Sequence, residues 1–315
     1  MQHDTRTPVI QAMDRLYAEL ARLFFRREQA CRWTSAEAAD EARDAVAALS
    51  PAIAEQAFAG NGEVALQLAG SGAEAGVRVL AVEFDCAERS RDWPHVAAFL
   101  QALHDDLELP APALAVRAHA GYAVWISLAQ PWALADAVAF LNALRDRYLT
   151  QLPRHVLTLR PGDAAPGTDA SWLPLLPARH AASGHWSAFI DPGLGALFAD
   201  EPWLEMAPNR GQQADILATL KSVDAAALAR AVDALAASSR GAAERQDDPT
   251  PAATAVAQKP PAGARRQSPM LALGGGFADP ADFLLALMND PSASARQRIA
   301  AAKALLPYYR CRRRK

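Results

Sequence analysis

Val9, Ile10, Met13, Leu16, Tyr17, Leu20, Leu23 and Phe24 follow one another at spacings of one and three, which predicts an amphipathic helix running to about Trp33. Thr34, Ser35, Ala36 and Glu37 have the form of a capping box, so a second helix is expected from there towards Ala48, before Pro51. The period then shortens. Residues 64–68 form a short apolar run among Gly60, Gly62, Gly70 and Gly72, which predicts a first strand. A longer β-rich run over 77–85 ends in Glu83 and Asp85, and Pro94 opens a helix over about 92–103. Residues 114–117 and 122–128, joined through Gly121, read as a hairpin. Leu134, Val138, Leu141 and Leu144 predict a helix over 133–148, and 155–159 returns as a strand before Pro161. Trp172 to Leu176 is expected in the core, 186–190 as a strand, and 212–220 and 224–236 as closing helices.

This order gives an α+β class, a mixed sheet covered by helices. The expected organisation is an N-terminal helical region over 1–52, an α+β domain over 53–238, a linker over 239–269 and a helical tail over 270–315. The linker follows from composition: Pro249, Pro251, Pro260 and Pro261 lie among Ala, Gln, Asp and Arg without a hydrophobic period. Gly274, Gly275 and Gly276 lack the Lys-Ser/Thr that a phosphate loop requires. From Pro291 onward there are eight basic residues and no acid, a run whose self-repulsion an anionic partner would relieve.

With 51% hydrophobic and 21% charged residues over 315 positions, the chain can bury one sizeable core, and a net charge of -3 restricts any nucleic-acid contact to local patches. Cys31, Cys86 and Cys311 are odd in number and lack metal-ligand spacing, which fits a reducing compartment. The start has no signal-peptide core and charges interrupt each apolar run, so the expectation is a cytoplasmic protein without membrane contact.

Candidate chemistry rests on Glu83 and Asp85. Two apart on a strand, they leave the same face of the sheet, as a divalent-metal site for phosphoryl transfer requires, although a solvated strand end has the same form. Tyr122 and Trp125 read as core and rim residues, with base stacking as the alternative. Arg26, Arg27 and Arg32 read as a solvated helix face or as phosphate contacts, His180 and His185 as surface residues, and His119 as a turn residue.

Several blocks, in order, resemble the archaeo-eukaryotic primase (primase-polymerase) domain of the TOTE conflict system type over about residues 16–228. Leu23-Phe-Phe-Arg-Arg-Glu-Gln-Ala-Cys-Arg-Trp33 is similar to its N-terminal block, and Leu80-Ala-Val-Glu-Phe-Asp85 to its strand ending in Asp-x-Asp. Ala118-His-Ala-Gly-Tyr-Ala-Val-Trp-Ile126 resembles its His-bearing hairpin. Leu173-Pro-Leu175, Gly184-His-Trp-Ser-Ala-Phe-Ile-Asp191 and Gln212-Gln-Ala-Asp215 match later blocks. The resemblance implies a primase-like (RRM-like) sheet, with Glu83 and Asp85 as catalytic and metal-binding residues. It also implies degeneracy: the family's first Asp is Glu83, its nucleotide-binding His falls on Ala123, and its third acid falls nearest Leu157. The tail, through residues 283–291 and 301–308, carries a fainter likeness to phage small-terminase-like segments.

The expected function is a catalytically degenerate, nucleic-acid-binding protein of a mobile-element, conflict-system or phage-related operon, with DNA or RNA as partner and no cofactor. Arg310, Arg312, Arg313, Arg314, Lys315 and Arg117 are the expected nucleic-acid contacts. One alternative is an active DNA primase-polymerase holding Mg²⁺ or Mn²⁺ on Glu83 and Asp85. The other is a non-catalytic interaction subunit partnered with replication or packaging proteins.

Overall fold

Leu16, Leu20 and Leu23 are fully buried on α1 (Arg6–Leu23), spaced by four and three as a core-facing helix stripe requires. The computed structural model describes residues 6–35, 46–70, 76–85, 93–118, 121–162, 170–199 and 203–246, with the backbone alone at 6–14, 35 and 238–246. The chain divides into two compact units, Met1–Pro249 and Thr250–Lys315, and every described residue lies in the first.

α1 stops ten residues short of the expected Trp33. Gln29 builds the turn that ends it: its Oε1 accepts from Arg26 N, while its Nε2 donates to Ala30 O and Gln67 O. Cys31, Arg32, Trp33 and Thr34 then belong to β1 (Ala30–Ser35). The capping-box helix expected from Thr34 is likewise replaced at both described ends, since Thr34 and Ser35 close β1 and Val46–Ala48 is β2. Aromatic and β-branched residues at 33 and 34 favour the extended chain, and pairing with β2 and β3 (Gly62–Gln67) decides the outcome. Between β2 and β3 lies α2 (Pro51–Ala59), capped by Ser50 Oγ accepting from Ile53 N and ended by Gly60 at φ 78°.

The other elements fall close to their expected places, except that Trp172–Pro174 and Ala178–Arg179 form strands where none was expected. They are β4 (Val77–Asp85), α3 (Trp93–Asp105), β5 (Ala113–Arg117), β6 (Gly121–Trp132), α4 (Leu134–Tyr148), β7 (Leu157–Arg160), β8 (Trp172–Pro174), β9 (Ala178–Arg179), β10 (Trp186–Ile190), α5 (Arg210–Ala218) and α6 (Ala225–Gln246). β7 begins two residues late because Arg154–Val156 forms a 3-10 turn. α6 runs to Gln246, past the expected start of the linker at residue 239. The rest of the linker and the tail lie outside the described residues.

The class is α+β. A four-stranded sheet has the order β2-β1-β3-β8 and a six-stranded sheet the order β7-β4-β6-β5-β10-β9, with antiparallel neighbours throughout. Residues 79–84 are buried without alternation, as expected for a strand covered on both faces. On one face Trp125 meets Phe24 edge-on at 5.2 Å and Phe189 at 5.2 Å. On the other, Phe84 packs on Phe99 of α3 and Trp93 on Tyr122. No helix among the described residues is long and apolar enough to cross a membrane.

Candidate functional site

Strand register sets the geometry around the acid pair. Glu83 lies directly opposite Ala123 of β6 and, on its other side, Thr158 of β7; Asp85 lies opposite Gly121. One strand further, Ala115 and Arg117 of β5 pair with Ala123 and Gly121. Residues directly paired across strands share a face, so Glu83, Asp85, Ala123, Thr158 and Arg117 all rise from one side of the sheet. The position opposite Glu83 is therefore Thr158, and Leu157, paired with Phe84, belongs to the other face.

Two arginines close over the acids. Arg117 Nη1 donates to Asp85 Oδ1 at 3.0 Å and lies 3.4 Å from Glu83 Oε2. Since β5 and β4 are separated by β6, the guanidinium must reach over a gap of roughly 10 Å between strands. It can do so because the intervening positions are Gly121 and Ala123, whose small side chains leave the path open. Arg160 Nε approaches Glu83 Oε2 to 2.9 Å from the opposite edge, while its Nη1 donates to the Trp172 carbonyl of β8. Arg160 thereby ties the six-stranded sheet to the four-stranded one. The Trp172 ring in turn carries the Arg32 guanidinium, 3.9 Å from its centre.

Burial separates the two acids. The Glu83 side chain is 2% exposed and that of Asp85 42%, with Arg117 and Arg160 at 13% and 15%. Glu83 Oε2 accepts no hydrogen bond among the described residues, so its contacts with the two guanidiniums are charge contacts. This donor set does not suit a divalent cation. Such an ion needs several converging oxygens, and here one buried oxygen faces two positive groups while Asp85 is engaged by Arg117. Among the described residues no three His, Cys, Asp or Glu side chains are grouped to hold a metal.

The remaining candidates are dispersed. Tyr122 and Trp125 are fully buried core residues, and Tyr122 Oη donates to Gly195 O. Arg26 is buried in the turn after α1, donating through Nη2 to Gln67 O, which differs from a solvated helix face. His180 lies in a turn beside Ser183, and His185 stacks on Trp203 with ring centres 4.9 Å apart. His119, Arg310, Arg312, Arg313, Arg314 and Lys315 lie outside the described residues. Sequence reasoning missed Arg160. The signal available was a positive charge at the end of a strand adjoining the acid strand, where a family acid was being sought.

No protein-family model matches the chain, and no curated protein matches it. Among solved structures, the chain is similar to the AEP domain of the cyanophage S-2L primase-polymerase at 14% identity and a TM-score of 0.37, over 65% of this chain and 97% of that one. It is also similar to the catalytic domain of primase RepB', in complex with initiator DNA, at 15% identity and a TM-score of 0.36, over 76% and 98% of the two chains.

Proposed function

We propose that the chain is a primase-polymerase-like protein that binds DNA or RNA without joining nucleotides. In this reading the acid pair serves as a charge cluster that fastens strands together. The observation that carries it is Glu83, 2% exposed and held between Arg117 and Arg160. Phosphoryl transfer depends on carboxylates that can place cations against a phosphate and neutralise charge as it develops. A carboxylate whose buried oxygen already faces two guanidiniums has no such capacity, and the methyl side chain of Ala123 opposite it offers no donor to a phosphate.

Nucleic-acid contact in this reading comes from the basic run at 310–315 in the sequence, whose charges neutralise phosphates and release counterions. The test has two arms. Purified full-length protein with template, nucleoside triphosphates and Mg²⁺ or Mn²⁺ should neither make nor extend a primer; products that vanish in Asp85→Ala would overturn the proposal. Duplex DNA binding should show a log-log salt slope of roughly -3 to -4, for about four neutralised phosphates, and removal of residues 308–315 should flatten it. An unchanged slope would move the contact to the body of the protein and leave the tail without this role.

A further inference from the structure

A cavity of about 470 Å³ opens between α4 and β7, at the edge of the six-stranded sheet. That volume falls within the range of small-molecule pockets, about 300–1,000 Å³. Five polar residues line it from three elements: Asn142 and Arg145 from α4, Arg154 and His155 from the 3-10 turn, and Thr158 from β7. Asn142 and Arg145 are three apart, so they lie on one helix face. Val138, Leu159 and Pro161 supply an apolar wall, and no carboxylate among the described residues lines the cavity.

The charge is unbalanced. Asp146, outside the cavity lining, accepts Arg145 Nε at 2.9 Å and lies 3.7 Å from Arg154 Nη2. Among the described residues one carboxylate thus serves two guanidiniums, leaving one net positive charge. Guanidinium groups match the geometry of phosphate oxygens, and an amide and a hydroxyl beside them add neutral hydrogen bonds. The apolar wall suits an uncharged body attached to the phosphate.

We propose that this pocket is a binding site for a phosphate-bearing small molecule of the nucleotide class, separate from the acid cluster. Thr158 belongs to both neighbourhoods, being paired with Glu83 across β4 and β7. Occupancy of the pocket would therefore be felt at the sheet position next to the acids.

Calorimetric titration of the full chain with metal-free ATP tests this, with adenosine and inorganic phosphate as comparison ligands. ATP should bind more tightly than either, because only it engages both the basic groups and the apolar wall. Arg154 is 78% exposed, so Arg154→Glu keeps the fold; it should weaken ATP by roughly tenfold or more, and Arg145→Gln by a similar factor. Arg179→Gln, an exposed change on β9 at the opposite edge of the six-stranded sheet, should leave ATP affinity unchanged. Absence of ATP binding, adenosine binding as well as ATP, or a loss in Arg179→Gln as large as that in Arg154→Glu would overturn the proposal.

Discussion

Arg160 Nε stands 2.9 Å from Glu83 Oε2, although the two residues lie on neighbouring strands and are not directly paired, Arg160 facing Ala81 and Glu83 facing Thr158. This diagonal contact, with Arg117 arriving from the far side of β6, makes Glu83 the centre of a three-strand cluster. Removing one member of a buried ionic group leaves the others uncompensated, at a cost of about 3–5 kcal/mol in dry sites. Both arginines retain some solvent contact, so Glu83→Gln should cost about 2–3 kcal/mol in urea unfolding. Asp85, 42% exposed, should lose no more than about 1 kcal/mol as Asn. Equal stability of Glu83→Gln and the parent would show that the cluster does not hold the strands.

A second relationship replaces a missing strand. β9 pairs with Trp186 and Ser187 and ends before Phe189, where Gln213 of α5 takes over: its Oε1 accepts from Phe189 N at 2.8 Å and its Nε2 donates to Phe189 O at 2.9 Å. Gln213 is buried, so Gln213→Ala strands two buried backbone groups, at about 1–3 kcal/mol each without relief from water. A loss of roughly 2 kcal/mol or more in denaturant unfolding is expected. Gln213→Glu keeps the acceptor and loses the donor, so it should also destabilise, whereas exposed Gln212→Ala should be near neutral. A Gln213→Glu variant as stable as the parent would show that the donor to Phe189 O is dispensable.

These contacts show where local pattern stops carrying information. β4, β5, β6, β10 and α3 to α5 were legible because apolar periodicity and turn residues are local properties. The stretch at 30–35 was not, because a helical stripe ahead of it and a capping box within it outweighed the β preference of Trp33 and Thr34. Pairing with strands more than ten residues away settled that segment. At the site, the shared face of Glu83 and Asp85 followed from their spacing. Their arginine partners did not, since Arg117 and Arg160 lie 32 to 77 positions away and only the strand order brings them together. The pocket beside β7 depends likewise on α4 packing next to the edge strand.

Gly195 marks a close approach between elements. A Cβ there would lie 1.8 Å from Cη2 of Trp93, whose ring packs on Tyr122, while Tyr122 Oη donates to Gly195 O. Trp93 cannot retreat without disturbing both contacts. Gly195→Ala should therefore destabilise by about 1–3 kcal/mol, the usual cost of overpacking. Phe at position 93 lacks the outer ring atoms that meet the new methyl, so Gly195→Ala with Trp93→Phe should lose less than the sum of the single changes. Strict additivity in that double-mutant cycle would place the strain elsewhere.

Stability should also fall on the alkaline side of neutrality, and Cys31 should account for part of the fall. Its thiol is fully buried, and burial pushes its pKa up because the thiolate would lose its hydration. Tyr17 is raised as well, first by burial and then by the Cys31 charge. A thiol titrates at about 8.5 in the unfolded chain. Below that value both states hold the proton and the full stability is present. As pH rises further the unfolded chain releases the proton while the folded chain retains it, so unfolding becomes progressively easier until the raised folded pKa is passed. Urea midpoints measured from pH 7 to 10 should decline. Cys31→Val removes this thiol from both states and should make the decline shallower, and iodoacetamide should modify Cys31 far more slowly in native protein than in urea. If the native thiol reacts at the unfolded rate, or the valine variant declines as steeply as the parent, Cys31 is not the group whose burial sets the alkaline limit.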